Sequence, residues 1–292
     1  MELTGIGKEN EWAFAPLMFE TDIEACSLGV GAIEEGEAAG VALYSELAGS
    51  LILDYIYVPE KFRRKGIATA LVEETVKQLH GSGLVALHVN YPESAEDIHG
   101  FILSRGFKIF RDGTAYRARV GDFMESKVTK RLLSGSLKNR VVRVADLTRY
   151  ERNSLRKALK AQDLDPSVID DRTLSRQLSL ANFDPVNKKP AGLVLCRLRQ
   201  KVVTISYLVN FSNDPLQLKE ILMALLRAAE EQNIRDHELI FLTMNDDMVK
   251  LPQSLLKSKD LLHREGAVIS GIRMLLPERR FFGDILKQYG FE

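Results

Sequence analysis

Two halves of the chain repeat one pattern of apolar and polar positions. In the first half, alternating runs predict strands, and apolar residues at three- and four-residue spacing predict helices. The predicted strands are residues 25–34, 37–45, 51–58, 84–90, 107–111 and 114–120, with one helix at 66–80 and another that ends near Arg105. Hairpin turns are predicted at Glu35-Gly36-Glu37 and at Asp112-Gly113, because glycine adopts the backbone that tight turns require. The first half therefore predicts an α+β domain.

The second half restarts with the same order of strand, strand, helix and strand. Its predicted strands are residues 140–144, 192–198, 202–210 and 238–243, and its predicted helices are residues 150–161 and 216–231. The helix at 216–231 carries one apolar face, as the helix at 66–80 does. We interpret the second half as a degenerate second copy of the first, with an unrelated α+β domain as the alternative.

A change in composition separates the two halves. Residues 121–140 disperse Lys and Arg around Ser134-Gly135-Ser136, which is typical of a boundary between domains. We therefore predict an N-terminal domain at 1–122, a linker at 123–139 and a C-terminal domain at 140–292.

The segment between the strand at 51–58 and the helix at 66–80 carries a candidate phosphate site. Arg63, Arg64 and Lys65 precede Gly66, and the apolar helix pattern begins directly after the glycine. Glycine lets the backbone approach a ligand closely, and the N–H groups of a first helical turn bind phosphate oxygens. The arrangement favours a pyrophosphate site, with a solvated basic turn as the alternative.

This loop resembles the acetyl-CoA-binding motif of the GNAT (Gcn5-related N-acetyltransferase) superfamily. The residues that carry the resemblance are Arg63, Gly66 and Ala68 in the loop, Tyr57-Val58 before it, and Gly106-Phe107 after a later helix. The resemblance covers roughly residues 25–120 and implies two GNAT-like α+β domains, each a twisted, mixed, mostly antiparallel sheet flanked by helices. It also implies that the first domain begins late, because the family usually has a further strand and helices before this region.

The resemblance implies transfer of an acyl group to an amine, with acetyl-CoA or another short acyl-CoA as cosubstrate. The implied cofactor-binding residues are Ile56, Tyr57, Val58, Arg63, Arg64, Lys65, Gly66, Ile67, Ala68 and Thr69. In the family, the strand before the loop separates from its neighbour, pairs with the pantetheine and offers a backbone N–H to the thioester carbonyl, at the position of Val58. Direct transfer is favoured because neither Cys26 nor Cys196 lies at the implied thioester position.

A neutral amine nucleophile needs a base, because an alkyl ammonium group is largely protonated at neutral pH. The carboxylate position of histone-type family members is occupied here by Ile52. Strand alternation predicts one face with Ile52, Asp54, Ile56 and Val58 and the other with Tyr55 and Tyr57. Asp54 is therefore the candidate base, with a hydrogen bond at a strand edge or a surface position as the alternative.

The family's proton donor is also replaced. Its tyrosine, which protonates the thiolate, falls on Ile102, and its helix asparagine falls on Ala95. His99 lies one helical turn from Ile102 and Tyr91 precedes the helix, so both are candidate catalytic residues. A solvated histidine, with protonation of the thiolate by solvent, is the alternative.

The second copy lacks the phosphate site. Its corresponding turn, residues 210–215, carries Asp214 and no glycine, and no glycine lies between Gly192 and Gly266. A diphosphate would meet negative charge there, so we predict one acyl-CoA per chain.

The amino-acid composition narrows the possible binding partners, cellular location and metal content of the protein. The 292 residues are 45% hydrophobic and carry 40 Lys+Arg against 40 Asp+Glu, and this balance argues against a nucleic-acid partner. No run approaches a membrane span, no signal peptide is evident, and two cysteines fit a reducing compartment. We expect a cytoplasmic protein with no membrane partner. The five histidines show no metal-ligand spacing, so no metal is expected.

The acceptor is predicted to be a small-molecule or peptide amine in a cleft that the second domain completes, and the oligomeric state stays open. A non-catalytic acyl-CoA-binding module, regulatory or for interaction, is the alternative, because Ile102 and Ala95 replace polar residues of the family. A structural protein with a vestigial loop would bind no CoA.

Overall fold

The computed structural model describes residues 1–18, 26–47, 49–79, 82–199, 201–212, 215–243 and 247–275. The chain divides into two compact units. Unit 1 is Met1–Arg111 together with the segment that begins at Ile269, and unit 2 is Asp112–Val268. This division differs from the predicted boundaries. The predicted linker lies within unit 2 and is helical up to Leu133, and the segment that begins at Ile269 belongs to unit 1.

Unit 1 is a mixed sheet with helices on both faces. Its elements are β1 Glu2–Gly5, α1 Glu11–Met18, β2 Leu28–Glu34, β3 Glu37–Leu47, β4 Ser50–Tyr57, a 3₁₀ turn Glu60–Phe62, α2 Ile67–Leu79, β5 Ala86–Pro92, α3 Glu96–Ser104, the start of β6 Lys108–Arg119 and the end of β12 His263–Met274. The strand order is β1-β2-β3-β4-β5-β12, and only the β4–β5 pair among those with a described register is parallel.

Unit 2 repeats this plan. Its elements are α4 Val120–Glu125, α5 Lys127–Leu133, β7 Arg140–Arg143, 3₁₀ turns Val144–Asp146, Pro166–Asp170 and Lys259–Leu261, α6 Arg149–Lys160, β8 Leu180–Phe183, β9 Pro190–Arg199, β10 Val202–Asn210, α7 Pro215–Glu231, β11 Glu238–Thr243 and α8 Asp247–Leu255. The strand order is β7-β8-β9-β10-β11-β6, and β10–β11 is the parallel pair among those with a described register. The second-copy interpretation therefore agrees with the observed order of elements.

The prediction that the first domain begins late is wrong. Strand β1 pairs antiparallel with β2 from Glu2 opposite Ile33 to Gly5 opposite Val30. Helix α1 follows, and its Phe14 is fully buried against Val41 and Leu43. The short strand lacked the alternation that makes longer strands visible in a sequence.

The predicted hairpin at Asp112-Gly113 is also wrong, because both residues lie inside the continuous strand β6. A Cβ at Gly113 would lie 2.7 Å from the carbonyl oxygen of Thr243. Glycine is therefore placed here for close approach between strands and not for a turn. By contrast, Glu35-Gly36 forms the predicted turn between β2 and β3, with positive φ angles at both residues.

Two apolar cores cover the sheet of unit 1. Helix α2 buries Ile67, Leu71 and Val72 in the larger core, which also contains Leu53, Val89 and Ile102. Tyr55 and Tyr57 pack against the smaller core formed by Phe14, Met18, Val41 and Leu43. The apolar spacing of α2 therefore fixes which sheet face it covers. No helix in the described ranges is long and apolar enough to cross a membrane.

Candidate functional site

The parallel pair β4–β5 opens towards one end. The strands pair at Leu51–Leu87, Ile52–His88 and Leu53–Val89. Strand β4 continues to Tyr57 and β5 to Pro92, but the described register has no further pair between them. Backbone groups that face the opening can pair with the amides of an extended ligand, as in strand addition.

A β-bulge lies at the start of this opening. Tyr55 pairs with Leu43 and Leu53 with Tyr44, so Asp54 is the extra residue on β4. The bulge shifts the alternation of the strand, because Leu53 and Ile56 contact the same core. The predicted face with Ile52, Asp54, Ile56 and Val58 is therefore wrong. Bulges redirect side chains next to functional sites, and the extra residue of this bulge is Asp54.

The loop after β4 has the backbone of an anion site. Arg64 and Gly66 both have left-handed backbones, with φ of 62° and 81°. The Gly66 carbonyl accepts the Ala70 N–H at 2.9 Å and so closes the first turn of α2. The N–H groups of Ile67, Ala68 and Thr69 precede the first intrahelical donor, and unpaired groups of this kind bind phosphate oxygens.

The basic side chains of the loop lie on its solvent side. Arg63 donates through Nε to the Val58 carbonyl at 3.1 Å, which ties the loop to the end of β4. Lys65 Nζ lies 5.4 Å from the centre of the Phe62 ring. Arg64 approaches Asp97 at 3.7 Å, but both side chains are more than 90% exposed, so this pair contributes little. The three cations therefore provide positive charge beside the helix N-terminus.

The implied cofactor contacts divide into backbone and side-chain groups. Tyr57 stacks on Tyr55 with ring centres 6.4 Å apart, on the face that α1 covers. Ile67 is buried against Gly40, where a Cβ would lie 2.8 Å from it. Both residues can therefore offer only backbone atoms to a ligand in the opening. Ile56 and Val58 face the α2 side and, like Ala68 and Thr69, are half-buried.

Tyr91 and His99 form the second polar group of the site. The Tyr91 hydroxyl lies 3.1 Å from His99 Nδ1, and the Tyr91 side chain is 4% exposed. Burial raises the pKa of Tyr91 above its ordinary value, so the hydroxyl keeps its proton at neutral pH. Ile102 is buried in the core, where the apolar residue at the family's tyrosine position completes the packing. The proton-bearing group of this region is therefore Tyr91.

The opposite face of the sheet carries polar residues that sequence reasoning missed. Strand alternation places His88 and Asn90 opposite the buried Leu87, Val89 and Tyr91. Burial lowers the pKa of His88, which favours a neutral imidazole. The Ser270 hydroxyl donates to Asn90 Oδ1 at 2.7 Å. The alternation of 86–92 was a usable signal for His88 and Asn90, but no local pattern could connect Ser270 to them.

Strand β12 also holds helix α2 in place. Arg273 donates to both carboxylate oxygens of Glu73, at 2.8 and 3.0 Å, and Arg105 lies 3.8 Å from the same group. The hydrogen bond from Arg273 lowers the pKa of Glu73. A bidentate pair of this kind fixes orientation as well as distance.

The corresponding turn of unit 2 has different contacts. Asn210 Oδ1 accepts hydrogen bonds from the Ser212 N–H at 3.1 Å and hydroxyl at 3.0 Å. Gln162 Nε2 donates to the Asn210 carbonyl at 3.0 Å. Asp214, on which the one-site prediction partly rests, lies outside the described residues. In the sequence of this turn, residues 210–215, no glycine precedes helix α7.

The comparisons with known proteins agree with this geometry. Residues 5–107 match the model of the acetyltransferase (GNAT) family. This segment is a GNAT domain. It contains the opening, the bulge, the basic loop and the Tyr91–His99 pair described above. No curated protein matches the sequence of the chain.

Solved structures share the fold of the whole chain. A tandem GNAT protein from the clavulanic acid biosynthesis pathway superposes with a TM-score of 0.66 at 10% identity, over 95% of this chain and 99% of that one. A GNAT from Sphaerobacter thermophilus gives a TM-score of 0.54 at 14% identity, over 85% and 81% of the two chains. A glucosamine N-acetyltransferase region of a fungal multi-domain enzyme gives a TM-score of 0.61 at 8% identity, over 93% and 38%. The chain therefore has the tandem GNAT fold.

Among the described residues, no group of three or more His, Cys, Asp or Glu side chains is arranged to hold a metal ion. Cys196 is buried, and burial raises the pKa of its thiol to about 12. A thiol of this kind is inert as a nucleophile.

Proposed function

We propose that this chain is an acyl-CoA-dependent N-acyltransferase that moves an acetyl or other short acyl group directly to an amine. The observation that carries the proposal is the opening between β4 and β5, which leads at the end of β4 into the Arg63–Gly66 loop and the N-terminus of α2. Strand edge, left-handed loop and helix N-terminus together suit the pantetheine and diphosphate of CoA.

The diphosphate would bind the N–H groups from Gly66 to Thr69, with Arg63, Arg64 and Lys65 supplying charge. The pantetheine would extend along the unpaired side of β4, beside Ile56 and the backbone of Tyr57. A backbone N–H at Val58 would then donate to the thioester carbonyl and stabilise the oxyanion that forms during attack. Holding amine and thioester at this distance supplies much of the acceleration.

The polar residues beside the opening suggest separate roles. Asp54 would accept the proton of the attacking amine, directly or through water, at the bulge where the opening begins. The new bond joins the amine nitrogen to the acyl carbon, and the carbon–sulfur bond then breaks. Tyr91, paired with His99, would donate its proton to the leaving thiolate on the α2 side. No covalent acyl-enzyme is needed.

Calorimetry with acetyl-CoA and release of free CoA in the presence of amines test this proposal together. We expect one acetyl-CoA bound per chain and thiol release that depends on the amine. Binding of one acetyl-CoA without turnover across an amine panel would instead support the non-catalytic module, for which the apolar Ile102 and Ala95 are the motivating observations. Absence of binding would reject both functions.

A further inference from the structure

The end of the chain contributes a buried hydroxyl to unit 1. Ser270 is 6% exposed and lies on β12, the neighbour of β5 in the sheet. Ile269 belongs to the core that α2 covers, and a Cβ at Gly271 would lie 2.9 Å from Val89 in that core. Alternation therefore turns Ser270 to the opposite face.

Ser270 fixes the side-chain amide of Asn90. Its hydroxyl donates to Asn90 Oδ1 at 2.7 Å, between residues that are 180 positions apart in sequence. This bond occupies the amide oxygen and directs the Nδ2 hydrogens away from Ser270. Asn90 itself is exposed, so these donors lie at a surface that a ligand can reach.

Asn90 lies at the edge of the opening. Leu53 and Val89 form the last described pair of β4 and β5, and the next residues along the two strands are Asp54 and Asn90. Asn90 follows Val89, which points into the α2 core, so Asn90 turns to the other face. Asp54 is the extra residue of the bulge at the same level of the sheet. A carboxylate and an oriented pair of amide hydrogens therefore flank the opening.

We propose that Asn90 is a specificity-determining residue and Ser270 its positioning residue, and that together they select amines with a neutral carbonyl close to the nitrogen. Asp54 attracts the ammonium form of the acceptor, and Asn90 Nδ2 donates to the carbonyl oxygen. A carboxylate on the acceptor would be repelled by the Asp54 carboxylate, so the preferred class is an amino-acid amide or a peptide N-terminus.

The inference rests on the proposed function, and three small amines separate its parts. Glycinamide carries the carbonyl, ethylamine lacks it and glycine replaces it with a carboxylate. With acetyl-CoA, and with rates calculated for the neutral form of each amine, we expect the full chain to give kcat/KM for glycinamide about tenfold above ethylamine, as one added hydrogen bond allows. Glycine should be the poorest of the three. Equal values for glycinamide and ethylamine would overturn the proposal.

Variants assign the preference to the two residues. Asn90→Ala and Asn90→Asp should abolish the preference for glycinamide, and Asn90→Asp still accepts the Ser270 hydrogen bond. Ser270→Ala should reduce the preference through a higher KM, whereas Ser270→Thr, which keeps the hydroxyl, should retain it. Acetyl-CoA affinity should not change in any of them. A preference that survives Asn90→Asp would reject the assignment.

A binding measurement separates this inference from the proposed function. The side-chain amide signals of Asn90, identified in nitrogen-15 spectra by their loss in Asn90→Asp, are followed while glycinamide is added to the CoA-bound protein. Saturable shifts of these signals without turnover would support the acceptor site and reject the transferase. Unchanged signals would overturn the inference, whatever the turnover.

Discussion

Units 1 and 2 share one backbone plan but differ in the residues placed on it. In unit 1 the parallel pair ends at Leu53–Val89, and the bulge residue that follows is Asp54. In unit 2 the corresponding pair is Ile205–Phe241, and the bulge residue is Ser206. The opening and the bulge are therefore properties of the fold. The carboxylate and the glycine-containing loop are present in unit 1 alone within the described ranges.

Glycine shows the difference most clearly. Counted from the bulge, Gly40 and Gly192 correspond, and a Cβ would lie 2.8 Å from Ile67 at the first and 2.6 Å from Asn182 at the second. Both copies keep this glycine because packing requires it. Gly66 has open space around its Cβ position but a φ of 81°, and the second copy has no glycine in its turn. Packing therefore explains the glycine that both copies share, whereas the left-handed backbone of the loop explains Gly66.

The largest expected effect comes from Gly66→Asp, which should lower acetyl-CoA affinity by more than about 100-fold. The added carboxylate would repel the diphosphate, and the side chain would strain the left-handed backbone. Gly36→Asp is a matched control, because Gly36 has the same φ of 81° and the same open space. Calorimetry on both variants that shows equal, wild-type affinity would place the ligand elsewhere.

Substitutions of the two bulge residues test whether proton transfer takes place in unit 1. Asp54→Asn should lower kcat by about 100-fold with little change in acetyl-CoA affinity, because a proton acceptor is lost. The loss should shrink as pH rises, since more amine is then neutral. Ser206→Ala, the corresponding change in unit 2, should leave kcat unchanged.

Tyr91→Phe and His99→Ala are the rivals of Asp54→Asn. If Asp54→Asn keeps full activity between about pH 6 and pH 9 while either rival loses it, proton transfer depends on the Tyr91–His99 pair alone.

A smaller effect is expected for Arg63→Ala, which removes a loop cation and its bond to Val58. Acetyl-CoA binding should weaken by about 1–3 kcal/mol, the usual contribution of a charge-assisted hydrogen bond. Lys61→Ala is the matched control, because Lys61 is an exposed cation two residues away whose partner is Glu37. Equal losses in the two variants would indicate a general charge effect and no specific contact.

The smallest effect concerns acid stability. Burial holds the pKa of His88 below its ordinary value of 6.5, so the unfolded chain binds this proton more readily than the folded chain does. The resulting stabilisation is present above pH 6.5 and is lost as pH falls through the folded pKa. His88→Gln should therefore lose less unfolding temperature on acidification than wild type, by under about 4 °C. Parallel melting curves at neutral and acidic pH measure this difference.

Local sequence patterns predicted most of the helices and strands. Alternation and helical spacing predicted β2 to β5, α2 and the hairpin of β9 and β10, because most of the apolar residues in each element lie on a buried face. The boundary of the units was not predictable, since the last strand of unit 1 comes from the far end of the chain. Gly113 was predicted to form a turn, because glycine is common both in turns and where two strands approach closely.

The site was predictable where it depends on backbone and not where it depends on register. Gly66 and its basic neighbours predicted a phosphate-binding loop, and this loop has left-handed backbone at Arg64 and Gly66. The shared face predicted for Ile52, Asp54, Ile56 and Val58 was wrong because a single extra residue in β4 reverses the alternation. Ser270 was missed because only the three-dimensional arrangement brings it to Asn90.

The composition of unit 1 has a consequence for synthesis of the protein. Ile269–Met274, the neighbour of β5, leaves the ribosome long after the segment that matches the GNAT family. Until then β5 presents an unpaired edge, which is an aggregation hazard in a nascent chain. Contacts across 180 residues also carry a large loop-closure entropy, which slows folding. The N-terminal domain therefore completes its sheet only after the whole of unit 2 has been synthesised.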